Sequence, residues 1–320
     1  MPAFSAPQPA TARRSRFKRA APEPLRLTDD DMAIIRHIAR HRFLRSTHLL
    51  QLMPERSAKK LIERLGALYH NGYIDRPRAQ LDYYATAGSA PMVHAVGNRG
   101  AQALADRNGV ARGQIDWTWK NRSVGRVFIE HTLLTADAMV ATECAVASHA
   151  DVRLMDAAEI LTNAPETTRR AANPFRLATR AQHDGQLVDL AVIPDAVFGL
   201  DFTVERKRKY FFLEADRATM PVVRRDLDQT SFVRKLVTYL AGGGQANAFG
   251  AHFGVGNFRV LTVTTSRERM ATMIDALKQL TRGAGSHQFL FVDRATLQDC
   301  RDLLALEWVS GKGEHVTLRD

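Results

Sequence analysis

The first regular pattern along the chain is helical. In "LTDDDMAIIRHIARHRFLRSTHLLQLM", which starts at Leu27, Ile34, Ile35 and Ile38 recur at the three-to-four spacing of one helix face. Thr28 stands where an N-cap is needed, and Asp29, Asp30 and Asp31 fill the first turn, where the helix dipole favours anions. The pattern breaks at "HRFLRS". Ser46 or Thr47 can then cap a second, short helix carrying Leu49, Leu50 and Leu52. Ser57 caps a third, with Leu61, Ile62, Leu65 and Leu68 as its apolar face and Asn71-Gly72 as its stop. Tyr73 and Ile74 open a strand, "MVHAV" at Met92 to Val96 is its returning partner, and a further helix runs from Arg99 to Arg107.

From residue 127 the period changes. Val127 to Ser148 is apolar on all sides, the mark of a long buried helix. "DVRLMDAAEIL" gives a strand and a short turn, and the weakly patterned residues 162–183 read as a loop. "QLVDLAVIPDAVFGLDF" is a strand interrupted by a proline, and "VERKRKYFFLEADR" is another, with Asp201 to Arg208 as a hairpin connection. A helix over "VVRRDLDQTSFVRKLVTYLAG" stops at Gly242, Gly243 and Gly244. Two strand–helix repeats follow, the last helix starting at Ala295. The order predicts a mixed α+β or α/β molecule. A winged helix-turn-helix spans residues 28–112, and a mixed sheet flanked by helices spans residues 113–320. Residues 1–27 lack either period and read as a disordered basic tail, with Arg13, Arg14, Arg16, Lys18 and Arg19.

Charge narrows the partners. The 320 residues carry a net charge of +11 with 45% hydrophobic content, which describes a globular protein that meets a polyanion such as double-stranded DNA. The two cysteines, Cys144 and Cys300, form no zinc or disulfide pattern and fit a reducing cytoplasm. No apolar run reaches the length of a membrane span, and no secretory signal is present. On the third helix Arg56, Lys59, Lys60 and Arg64 are the groove-facing candidates, and Arg76 and Arg78 are the wing candidates. Trp117 and Trp119 alternate in a polar stretch, where they either stack on bases or pack at a domain junction.

Acidic residues raise a second possibility. Glu214 and Asp216 share one face of an apolar strand, and Asp195 ends the preceding one. With Glu130 from the long helix they would form an oxygen-rich cluster suited to Mg²⁺ or Mn²⁺, held chiefly by Asp195 and Glu214. The alternative is a structural network with Arg217, Arg224 and Arg225. His131 either lines that cluster or is a hydrogen-bonded core residue. No G-x-G-x-x-G, P-loop or G-x-S-x-G is present.

Pro194-Asp195 followed by "LEADR" is similar to the PD-(D/E)xK nuclease pattern, and the predicted element order resembles the core of restriction endonucleases. The resemblance implies a metal-dependent DNA endonuclease with Glu130, Asp195, Glu214 and Asp216 in its site. Asp216 occupies the usual lysine position, so Lys235 or Arg217 would have to stand in. The whole chain resembles the replication-relaxation family of plasmid and mobile-element proteins. "HAVGNRGAQAL", "EHTLLTADA", "IPDAVFGL", "FFLEADRAT", "RKLVTYL" and "FRVLTVTTSRER" carry that likeness in order. It implies DNA binding in replication, relaxation or mobilisation. The second domain would then be an oligomerisation platform for a homodimer, a docking surface for a relaxase or replication initiator, or a nuclease.

Overall fold

The computed structural model describes residues 16–81, 90–108, 121, 123–183, 186–224, 230–244, 247–256 and 258–320. Trp117, Trp119, Arg13, Arg14 and Arg225 lie outside the described residues. The molecule is a mixed α+β protein of two compact units, Met1–Ile129 and Glu130–Asp320.

The first unit begins with helix α1, Asp29–His41, which starts as its sequence predicts. Thr28 and Asp31 form a reciprocal capping box. Strand β1, Leu44–Arg45, leads directly into α2, Ser46–Leu52. Neither Ser46 nor Thr47 is the cap expected for α2. Arg45 holds that position in extended backbone, because β1 is paired there with a later strand. Helix α3, Ala58–His70, is capped by Ser57 and stops at Asn71-Gly72, where Gly72 takes a φ of 79°. Its buried stripe is Leu61, Leu65, Leu68 and Tyr69, while Ile62 is 55% exposed. One residue of offset turns Ile62 about 100° from Leu61, and Tyr69 completes the stripe in its place. Strands β2, Ile74–Asp75, and β3, Val93–Val96, close a three-stranded sheet in the order β1-β3-β2. Helix α4, Asn98–Asn108, follows.

The second unit starts within α5, Arg126–Ala147. Then come β4, Val152–Met155, and two short helices, α6, Ala157–Thr162, and α7, Glu166–Arg169. The stretch expected as a loop also holds strand β5, Leu177–His183, which pairs with β6, Gln186–Val192, in a separate two-stranded sheet. The main sheet adds β7, Ala196–Phe202; β8, Lys207–Ala215; β9, Phe258–Thr264; and β10, Phe289–Asp293. It closes with β11, Trp308–Ser310, and β12, His315–Val316. Its order is β12-β11-β10-β9-β8-β7-β4; β4, β7 and β8 are antiparallel neighbours, and β8, β9 and β10 run parallel.

Central β8 is buried on both faces from Lys209 to Ala215, as expected of a strand covered by helices on each side. Tyr210 and Phe212 face one core with helices α8, Phe232–Gly243, α9, Ala248–Phe253, and α10, Arg267–Leu280. Phe211, Leu213 and Ala215 face the other, with α5 and α11, Arg294–Asp299. The helix expected from Val222 onward begins at Phe232, capped by Ser231. Among the described residues no helix is long and apolar enough to cross a membrane.

Candidate functional site

Two places hold the residues singled out in the sequence, one in each unit.

In the first unit the candidate cations separate by environment. Arg64 donates from Nε to Asp31 Oδ1 at 2.6 Å, pairs through Nη2 with Asp31 Oδ2, and reaches the Arg26 carbonyl at 3.0 Å. Asp31 is fully buried. Burial alone would raise its carboxyl pKa, but the Arg64 hydrogen bond and those from Thr28 outweigh it and hold the group below its ordinary value. Arg64 therefore ties α3 to the start of α1. Arg56 pairs with Asp30. Lys59 and Lys60, in the first turn of α3, are exposed and have no ion-pair partner among the described residues. Arg76 lies 4.2 Å from the centre of the Tyr69 ring and donates to the Arg16 carbonyl at 2.8 Å. Burial pushes its pKa down. Arg78 is exposed in a short turn after β2. Within the segment read as a tail, Arg19 is held by the Tyr69 and Ile74 carbonyls and by Asp75, at 2.8, 3.1 and 2.5 Å.

In the second unit the carboxylates gather where β8 ends and β7 begins. Asp195 immediately precedes β7 and does not end a strand, because Pro194 separates β6 from β7 and the two join different sheets. The β7–β8 register sets Ala196 against Leu213, which carries Asp195 to the neighbourhood of Glu214. Asp195 Oδ2 accepts the Ala215 N–H at 2.8 Å, and Oδ1 lies 2.9 Å from His131 Nε2 on α5. Glu214 is 1% exposed. Its Oε1 accepts the Tyr239 hydroxyl at 2.6 Å and its Oε2 accepts the Lys235 ammonium. Lys235 and Tyr239 are four residues apart on α8, so both point down the same helix face. The sequence signalled Lys235; the same spacing within "KLVTY" identifies Tyr239, which sequence reasoning missed.

The electrostatics of this cluster are opposed. Burial pushes the Glu214 carboxyl up to about 7, against the pull of Lys235. At Asp195 burial also raises the pKa, but the His131 hydrogen bond and the Lys235 charge win and the net shift is downward. The Asp195 hydrogen bond raises the pKa of His131. Lys235 is raised because Glu214 and Asp195 together outweigh burial.

Asp216 faces the same side as Glu214 but takes other partners. Arg269 on α10 grips it through Nε at 2.5 Å and Nη2 at 2.8 Å, and the Thr264 hydroxyl adds a bond at 2.8 Å. Glu130 is drawn away to Arg217. The structure thus joins Asp195, Glu214 and Lys235, and assigns Asp216 and Glu130 to arginines. Of the arginines weighed in the sequence, Arg217 pairs with Glu130; Arg269 comes from 53 residues downstream of Asp216, beyond the reach of any local pattern.

A divalent cation does not fit this arrangement. Mg²⁺ seeks six oxygen donors in near-octahedral geometry. Here each oxygen of Asp195 and Glu214 already accepts a hydrogen bond or faces His131, and the Lys235 ammonium supplies the positive charge. Among the described residues no group of three or more His, Cys, Asp or Glu is placed to hold a metal ion.

Comparison with curated proteins and with solved structures gives no match. Residues 35–251 match the family model described as replication-relaxation. That match spans more than half of the 320 residues, and the chain belongs to the replication-relaxation family.

Proposed function

We propose that the chain binds double-stranded DNA of a plasmid or other mobile element and acts in its replication, relaxation or mobilisation. The first unit has the element order of a winged helix, with α3 as the helix that enters the major groove. One observation carries this reading: Lys59 and Lys60 stand exposed at the start of α3 with no ion-pair partner among the described residues, while Arg64 and Arg56 are engaged with α1. Phosphate and base contacts need cations that are free to be desolvated by DNA. Replacing both lysines in Lys59→Gln/Lys60→Gln is expected to weaken duplex binding about tenfold or more, at roughly 1–3 kcal/mol for the pair. The fold should be unchanged, because neither side chain is buried. Fluorescence anisotropy with a labelled duplex measures this. Unchanged affinity in the double variant would remove α3 from the interface.

A second reading, hydrolysis of a DNA phosphodiester in the second unit, is favoured by the convergence of Asp195, Glu214 and Lys235 where main-sheet strands β7 and β8 meet α8, with α5 before them and β9 after, an arrangement similar to the core of PD-(D/E)xK nucleases once the inserted α6, α7, β5, β6 and α9 are set aside. The position that normally carries the lysine holds Asp216, which is gripped by Arg269. The test is supercoiled plasmid incubated with Mg²⁺ or Mn²⁺, beside Asp195→Asn/Glu214→Gln. The closed, hydrogen-bonded cluster leads us to expect binding without nicking. Nicking by the wild type that the double variant lacks would establish the nuclease reading.

A further inference from the structure

The main sheet is electrically polarised along its strands. Asp195, Glu214 and Asp216 stand at the C-terminal end of β8, whereas the opposite end begins Lys207-Arg208-Lys209. Side chains alternate along a strand, so Lys207 and Lys209 share a face. In the parallel β8–β9 register Arg259 lies beside Phe211, two residues on from Lys209 and on that same face. Three cations of two neighbouring strands therefore point one way. Arg208 points to the other face, where Asp201 takes its guanidinium at 3.2 Å. A cavity of about 430 Å³ opens at this end, and Lys207, Lys209, Arg259 and Asp320 all line it, with Tyr210 and Phe258 as apolar walls.

The cations in it are under-compensated. Lys209 is only 9% exposed, and its amine is held by the carbonyls of Leu318 and Arg319 at 3.3 and 2.6 Å. Those are neutral acceptors. Burial, then the charges of Lys207 and Arg259, pull its pKa down to about 8. Arg259 has a buried Nη1 with no hydrogen-bond partner among the described residues, a group that is costly to leave unpaired. Two carboxylates, Asp320 and Glu205, act against this at Lys209; Asp320 is bonded by the Thr317 N–H and hydroxyl and held below its ordinary pKa by those bonds first, then by Lys209 and Arg259. Lys207, Lys209 and Arg259 outnumber Asp320 and Glu205, which leaves room, in charge and in volume, for a further anion.

We propose that this cavity is a phosphate-binding site, seated between Lys207, Lys209 and Arg259. A tetrahedral dianion seated among these three cations offers them charge-assisted hydrogen bonds. The phosphate can come from a nucleic-acid backbone or from a small free phosphate. The site uses no residue of α3 or of the Asp195–Glu214 cluster, so it stands apart from both readings above.

The test uses the full chain and three proteins: wild type, Arg259→Gln and Asp320→Asn. Inorganic phosphate is compared with chloride at equal ionic strength, reading the thermal midpoint. Phosphate is expected to raise the midpoint of the wild type, to leave Arg259→Gln unmoved, and to bind Asp320→Asn several-fold more tightly. A variant that is merely less stable does not bind more tightly, so the Asp320 arm separates a site from a folding defect. A salt titration with a labelled duplex distinguishes the source. A backbone phosphate predicts that Arg259→Gln lowers the slope of log affinity against log salt by about 0.9; an unchanged slope with the phosphate shift lost identifies a free phosphate. Equal phosphate shifts in all three proteins, with an unchanged slope, would overturn the proposal.

Discussion

At Glu214, burial and charge act against each other. The side chain is 2% exposed, and its counter-ion Lys235 is 25% exposed. An acid whose folded pKa lies above its unfolded one takes up a proton on folding, so its contribution to stability falls as pH rises through that window. For Glu214 the window runs from the ordinary 4.5 to about 7. His131 acts in the same direction. Its raised pKa gives stability that is complete below 6.5 and lost as pH rises through the folded value. Asp195, shifted downward, contributes stability that is lost only in acid, below 3.8. Replacing Lys235 by Met leaves a buried carboxylate without its cation, at a cost of roughly 3–5 kcal/mol when Glu214 is ionised. The cost should be much smaller at pH 5, where Glu214 is protonated. Urea midpoints at pH 5 and pH 8 compare the two. An equal loss at both pH values would mean that Glu214 does not titrate between them.

Elements meet through a few close approaches, and Gly100 marks one of them in the first unit. The start of α4 rests on the turn that ends α3. A Cβ on Gly100 would stand 2.1 Å from the Tyr73 carbonyl oxygen and 3.3 Å from Ile35 Cγ2. Gly66, in the middle of α3, meets nothing within 4 Å. The same substitution should therefore have opposite signs. Gly100→Ala is expected to destabilise by about 1–3 kcal/mol through overpacking, and Gly66→Ala to stabilise by up to about 1 kcal/mol through helix propensity. Denaturant unfolding of the two variants gives the comparison. Two helix starts were legible in the sequence: Thr28 and Ser57 each accept a bond from a backbone N–H of the helix they begin. Ser231 caps α8 in the same way, but that helix starts ten residues after the start expected from the apolar pattern. Of the strands of two or three residues, β2 was legible from Tyr73-Ile74 and the others were not. β1, β11 and β12 are too short to show an alternation, and pairing with a neighbouring strand is what holds each in place. The β5–β6 hairpin was missed for a related reason: Thr179-Arg180 opposite Leu190-Asp189 is half exposed and carries no clean apolar face.

For the molecule as a whole, net charge sets the expectation and placement refines it. A chain of net charge +11 should bind any duplex with an affinity that falls steeply with salt. Each phosphate contact adds about 0.9 to the slope, so Lys59→Gln/Lys60→Gln should lower it by roughly 2 if both lysines meet phosphates. A slope that falls by less, with sequence preference relaxed, would place one lysine on a base edge. Composition points toward a polyanion but not to the division of labour among the cations. Arg64 looks from sequence like any other basic residue of α3, and only the packing of α1 against it shows that its charge is spent on Asp31. The acidic cluster was half legible in the same way: the pairing of Asp195 with Glu214 follows from adjacent antiparallel strands, whereas Arg269 reaches Asp216 through a tertiary contact.

The lysine that meets Glu214 is carried by α8, 21 residues further along the chain. A lysine two positions along the same strand would be locked to its acid by the pleat, and no residue could be added or lost between them. Delivered by a separate helix, it depends only on where that helix docks. The intervening segment is thus free to lengthen, shorten or change its composition over evolutionary time while the charge pair stays in place, and position 216 is released to serve another partner.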